Sequence, residues 1–108
     1  MKIEAKIKGK TVGYVEYEMI GKEKHKLYEL KRIEVDEEYR RNKIGHNLML
    51  RLFSHIIFRK LFLTTHKSNI GAQKFYKCFG FKEECVIPNH YYAGEDELVM
   101  SFYNKQVK

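Results

Sequence analysis

Residues 39 to 48, Tyr-Arg-Arg-Asn-Lys-Ile-Gly-His-Asn-Leu, set Arg40, Arg41 and Lys43 beside Gly45, between an alternating apolar segment and a long apolar ridge. That combination suits a phosphate. A strand ending at Val35 delivers the chain into a tight turn, and a helix from about Ile44 aims its unpaired N–H groups and positive dipole end back at it. A ligand carrying a pyrophosphate is the simplest occupant. Elsewhere the chemistry-bearing residues have plainer readings beside the functional ones. Tyr76 sits in an aromatic run with Phe75 and Phe79, where packing is the commoner role, and Asn69 stands where a helix cap belongs. Glu29 reads as a solvated charge in a strand, and His66 as a lone histidine at a strand end. The histidines His25, His46, His55, His66 and His90 are dispersed, and Cys78 and Cys85 fit no zinc spacing, so no metal is expected.

The elements that must hold these residues follow from periodicity. Ile3, Ala5 and Ile7 alternate with charged neighbours, which predicts a half-buried strand; Gly9-Lys10 turns the chain into a second strand, Thr11 to Ile20. A polar segment, Gly21 to His25, leads to a third strand, Lys26 to Val35, completing an antiparallel meander. Ile44, Leu48, Leu52 and Ile56 recur every four residues and predict a helix over Lys43 to Arg59. Leu61 to Thr65 reads as a central strand covered on both faces. A second helix, capped by Ser68 or Asn69, turns Ala72, Phe75 and Phe79 inward and stops at Gly80. Phe81 to Ile87 and Glu97 to Phe102 are two more strands, joined by a long loop from Pro88 to Asp96. The order β-β-β-α-β-α-β-β describes a mixed α/β sheet with helices packed on it.

A chain of 108 residues, 44% apolar and 14% aromatic, supports one domain over residues 1–108. No apolar run reaches the roughly 20 residues of a membrane span, and Met-Lys-Ile-Glu-Ala-Lys has no signal-peptide core, so the cytoplasm is expected. In that reducing compartment the cysteines are expected to be buried thiols. The net charge of +7 favours anionic partners. Because the lysines are scattered rather than blocked, a solvated basic surface is the better reading than a nucleic-acid site.

Arg40-Arg41-Asn42-Lys43-Ile44-Gly45 resembles the [Q/R]-x-x-G-x-[G/A] signature of the GNAT superfamily of acetyl-CoA-dependent N-acetyltransferases, with Lys43 in place of the first glycine. Asn69-Ile70-Gly71-Ala72-Gln73-Lys74-Phe75-Tyr76, continuing to Gly80-Phe81, resembles the family's N-x-x-A-x-x-[L/F]-Y-x-x-x-G-F. Tyr91-Tyr92-Ala93-Gly94-Glu95-Asp96 looks like the ending of the RimI-like branch, which acetylates protein N-termini. The resemblance implies a GNAT-like sheet in which a bulge splays the strand before the turn from the following central strand.

It also implies roles. Main-chain groups of Ile33 and Val35 would hold the pantetheine arm, and Arg40, Arg41, Asn42, Lys43, Ile44, Gly45 and His46 would hold the pyrophosphate, mostly through backbone N–H groups. Asn69 would bind the pantetheine amide, and Tyr76 would protonate the departing thiolate. Glu29 lies at a register where several relatives place the base. RimI-like enzymes use instead a glutamate five residues before the Asn, which here is Thr64 and cannot serve; His66 and water stay open. Relatives normally begin with a strand and one or two helices that wall the acceptor groove. This chain starts at the meander, so an open groove is expected, walled by Tyr91, Tyr92 and a second subunit of a homodimer.

The base matters less for some acceptors. At pH 7 an α-amine is roughly one-seventh neutral and a lysine about 0.04% neutral. The expected acceptor is therefore a protein or peptide N-terminus. A small amine such as a polyamine is the enzymatic alternative and needs acidic neighbours, Glu95 and Asp96. From another class, Lys43 and Thr64 favour an acetyl-CoA-binding or basic interaction module without turnover.

Overall fold

The computed structural model describes residues 1–107. Six strands, β1 (Lys2–Ile7), β2 (Lys10–Met19), β3 (Leu27–Val35), β4 (Lys60–His66), β5 (Lys82–Tyr92) and β6 (Glu95–Tyr103), form one sheet in the order β1-β2-β3-β4-β6-β5. Helix α1 (Ile44–His55) lies between β3 and β4 in the chain, and α2 (Ile70–Lys77) between β4 and β5. This is the expected order. Every neighbouring pair is antiparallel except β3 and β4, which need the α1 crossover to run parallel.

Alternation divides the sheet cleanly. Ile3, Val15, Tyr17, Leu30, Leu61, Leu63, Leu98 and Met100 point to one face and form a single cluster with Ile44, Leu48, Met49 and Leu52 of α1. Phe75 and Tyr76 of α2 pack against the same cluster. Phe53 of α1 meets Phe79, in the turn after α2, with ring centroids 6.1 Å apart. The opposite face carries Glu16, Glu18, Glu29, Arg32, Phe62, Thr64 and His66, and no helix of the described residues covers it. The central strand β4 is thus buried on one face only: Leu61 and Leu63 are in the core, while Phe62 and Thr64 are half-buried. Covering on both faces, expected from its apolar run, is not found.

Three element boundaries also differ from expectation. Helix α1 stops at His55, and Ile56 is already extended at φ −115° and ψ 146°. The apolar period continues by a different geometry: Ile56 and Phe58 stay buried while Ile57 between them is 70% exposed, the alternation of an extended segment. Helix α2 ends at Lys77, short of Gly80; its Ala72 and Phe75, and Phe79 in the turn that follows, are half-buried rather than core, and Gln73 is the buried side chain, donating from Nε2 to the Lys67 carbonyl at 2.8 Å. The segment from Pro88 to Asp96 is mostly hairpin, because β5 runs to Tyr92 and β6 starts at Glu95. Its ladder is broken between the pairs Ile87–Glu97 and Tyr92–Glu95, so Pro88 to Tyr91 arch out of register. Cys78 and Cys85 are free and exposed, not buried thiols. No helix of the described residues is long and apolar enough to cross a membrane.

Candidate active site

The site begins with one extra residue. Strand β3 pairs with β4 only over Leu27 to Glu29, opposite Lys60 to Phe62. Directly beyond, Glu16 faces Arg32 while Tyr17 faces Leu30, which leaves Lys31 unmatched as a β-bulge. A bulge bends and twists the strand that carries it. From there β3 and β4 diverge, and the edges around Ile33 to Val35 and Leu63 to His66 face a gap without ladder partners across it. That splay is the one the resemblance implied.

A cleft of about 980 Å³ opens at this gap on the helix side. Ile33, Val35, Arg40, Arg41, Lys43, Gly45, His46, Asn69 and Tyr76, all singled out from the sequence, line it together. Glu34, Gly71, Ala72 and Phe75 line it too. Of these, Ala72 and Phe75 lay in the quoted motif but read as packing residues. Gly71 lay in that motif at one of its unspecified positions, and Glu34 had no signal beyond adjacency to Val35.

The turn has the geometry an anion requires. Lys43 sits in the left-handed region at φ 58° and ψ 22°, and Asn47 N–H closes the first helical hydrogen bond on its carbonyl at 3.0 Å. The N–H groups of Ile44, Gly45 and His46 have no carbonyl partner among the described residues. Arg40 Nε donates to the Val35 carbonyl at 3.1 Å, holding the guanidinium at the end of β3. Gly45 lies close to both walls: a Cβ there would stand 3.6 Å from the Phe75 ring and 3.8 Å from Val35. Ile44 contributes only its backbone, since its side chain is in the core, and Asn42 is exposed outside the lining.

Across the cleft, α2 supplies Asn69 and Tyr76. Asn69 is the helix cap, its Oδ1 accepting from Ala72 N–H at 3.1 Å, which leaves the side-chain amide nitrogen as a donor. The Tyr76 ring packs edge-on against Phe75 and Phe81, with centroids at 5.3 and 5.8 Å. Its hydroxyl takes part in no hydrogen bond with the described residues and is not among the sealed polar atoms, so it opens on the cleft. Burial pushes its pKa above the ordinary phenol value, keeping the proton in place at neutral pH.

Glu29, Tyr91 and Tyr92 lie outside this lining. Glu29 is on the helix-free face, where its Oε1 accepts from Lys31 Nζ at 3.4 Å. Tyr91 and Tyr92 are 65% and 70% exposed at the hairpin end. His66 is held at Nδ1 by Ser68, with Oγ at 2.6 Å and N–H at 3.2 Å, and its Nε2 lies 3.6 Å from Glu95 Oε2.

Cations and free helix N–H groups answer a pyrophosphate, and an unpaired strand edge answers the amides of a pantetheine arm. Fold and cleft together define a transferase that handles a coenzyme A thioester. The sequence model of the acetyltransferase (GNAT) family matches residues 2–81, and the chain belongs to that family, whose members are acetyl-CoA-dependent N-acetyltransferases. Among curated proteins no sequence matches. Among solved structures, the ribosomal-protein-S18-alanine N-acetyltransferase of Escherichia coli superposes with a TM-score of 0.81 at 21% identity, covering 100% of this chain and 74% of that one. Arabidopsis thaliana Naa50, in complex with the bisubstrate analogue CoA-Ac-MVNAL, gives 0.75 at 29% identity over 87% of this chain and 66% of that one. A GNAT acetyltransferase from Elizabethkingia anophelis with acetyl-CoA bound gives 0.82 at 19% identity, over 95% and 75%.

Proposed function

We propose that this chain moves an acetyl group from acetyl-CoA to a protein or peptide N-terminal amine by direct attack, without a covalent enzyme intermediate. The observation that carries this reading is the protonated Tyr76 hydroxyl, open to the cleft on the wall facing the cationic turn. Acetyl-CoA supplies the thioester. The unpaired N–H groups of Ile44 to His46, with Arg40, Arg41 and Lys43, hold its pyrophosphate; Ile33 and Val35 with the Asn69 amide hold the arm. Tyr76 is then the proton donor for the leaving thiolate.

Two points favour an N-terminal amine. An α-amine is neutral often enough at pH 7 to need little help, and Naa50 was crystallised with an analogue joining coenzyme A to a peptide. The helix-free face supports an open acceptor groove bounded by Tyr91 and Tyr92, with a second subunit as the other wall. The reaction belongs in the cytoplasm, within one domain. The test is thiol release from acetyl-CoA over peptides varied at their first two residues, with diamines alongside. Turnover of peptides carries the reading; turnover of a diamine while every peptide fails transfers it to a small amine. Acetyl-CoA-induced thermal stabilisation without release to any amine reduces the protein to a binding module.

A further inference from the structure

We propose that Glu97 on β6 is the acceptor-side carboxylate, which binds the acceptor's ammonium and takes its proton. This rests on the acetyltransferase reading and fills the role that reading leaves open. Glu97 stands opposite His66 in the β4–β6 ladder, and Thr64 stands opposite Val99. Side chains alternate, so Glu97 shares the helix-free face with Thr64 and His66 and is the diagonal neighbour of Thr64, which cannot take a proton.

Glu97 is only 8% exposed, and its Oε2 is sealed from solvent with no hydrogen-bond donor. A buried carboxylate oxygen without a donor is costly, and the other carboxylates nearby do not share its position. Glu29 and Glu18 flank Lys31 at 3.4 and 3.8 Å, and Glu95 lies 3.6 Å from His66. Glu97 has no such cation among the described residues. Its Oε1 makes no hydrogen bond with the described residues and is not among the sealed atoms, so the carboxylate keeps one accessible oxygen, and an ammonium, with three donors and a positive charge, is the partner it lacks.

The surroundings suit a substrate. The arch from Pro88 to Tyr91 interrupts the ladder next to Glu97. Thr64 and His66 lie on the β4 edge that the splay leaves unpaired, and Glu97 neighbours them on the helix-free face; the acceptor binds there, across the splay from the cleft that Tyr76 lines. Here the acceptor ammonium gives one proton to Glu97. Its nitrogen bonds to the acetyl carbon as the carbon–sulfur bond breaks, and the thiolate takes the Tyr76 proton. The second proton shed by the new amide restores the phenol, and Glu97 returns its own to solvent.

The discriminating experiment compares thiol release by the wild type and Glu97→Gln at pH 7, with a peptide amine and with methoxyamine, which is already neutral there. Glu97→Gln is expected to lower kcat/KM about 100-fold or more for the peptide, to be near wild type for methoxyamine, and to keep the thermal shift caused by acetyl-CoA. Equal losses with both acceptors, or none with either, overturn the assignment. Glu97→Asp serves if the glutamine variant does not fold, and is expected to retain the same acceptor dependence in weaker form. A wild type that binds acetyl-CoA but acetylates no amine overturns the acetyltransferase reading and this one with it, whereas an active wild type with an unimpaired Glu97→Gln overturns this one alone.

Discussion

At the residue scale, two positions in the cleft invite direct tests. Tyr76→Phe removes a proton and little volume, so kcat should fall by about 10²- to 10⁴-fold while the acetyl-CoA-induced thermal shift is retained. Burial raises the Tyr76 pKa, so its protonated form persists through the ordinary phenol value of about 10 and is lost only above it. The pH profile of wild-type kcat should therefore show no alkaline fall at that value. Lys43 sets two effects against each other. It occupies a left-handed conformation that glycine adopts freely, and it lines the cleft with a charge. Lys43→Gly is expected to raise Tm by relieving about 1 kcal/mol of strain and to weaken acetyl-CoA binding. Calorimetric titration should show that loss shrinking at high salt, as a screened charge requires. Tyr76 and Lys43 were legible because both lie in contiguous motifs. Glu97 was not, because one glutamate in an alternating strand says nothing about which neighbour lacks a cation.

At the element scale, the bulge at Lys31 and the turn at Gly80 carry the architecture. Leu30 and Ile33 face the core while Lys31 and Arg32 both lie on the other side, so deleting Lys31 restores a regular ladder without turning any later residue over. The deletion variant is expected to fold and to lose the acetyl-CoA-induced thermal shift, since β3 can then stay beside β4. Gly80 has φ +100°, and a Cβ there would lie 2.8 Å from the Phe102 ring. Gly80→Ala should thus cost about 1–3 kcal/mol in urea unfolding, combining backbone strain with the displaced ring. The glycine's place after an apolar run announced the turn that follows α2, while the helix itself ends earlier, at Lys77. The bulge left no local sign, because it exists only in the register between β2 and β3. Likewise, the four-residue ridge overran α1 at Ile56, since an alternating Ile56-Ile57-Phe58 satisfies the same burial as another helical turn.

At the scale of the whole molecule, one polar link across three strands of the sheet is pH-dependent. Glu84 on β5 accepts from Lys60 Nζ on β4 at 3.1 Å and from Tyr103 OH on β6 at 2.8 Å. The Lys60 hydrogen bond, then that from Tyr103, holds the Glu84 pKa below its ordinary value. A depressed carboxylate stabilises the fold fully above its unfolded pKa and loses that contribution as pH falls through the folded one. Glu84→Gln should accordingly lower Tm at pH 7, with the gap to wild type closing in acid below the ordinary glutamate range. The sequence alone determined the order of the elements and the segments that line the cleft, the cationic turn and the helix carrying Tyr76, because these rest on periods of two and 3.6 and on short motifs within one segment. Tertiary structure decided the splay, the single covered face of β4, the hairpin arch and the lone carboxylate of Glu97. Those depend on register between strands distant in the chain and on which charges meet across them, neither of which local spacing records.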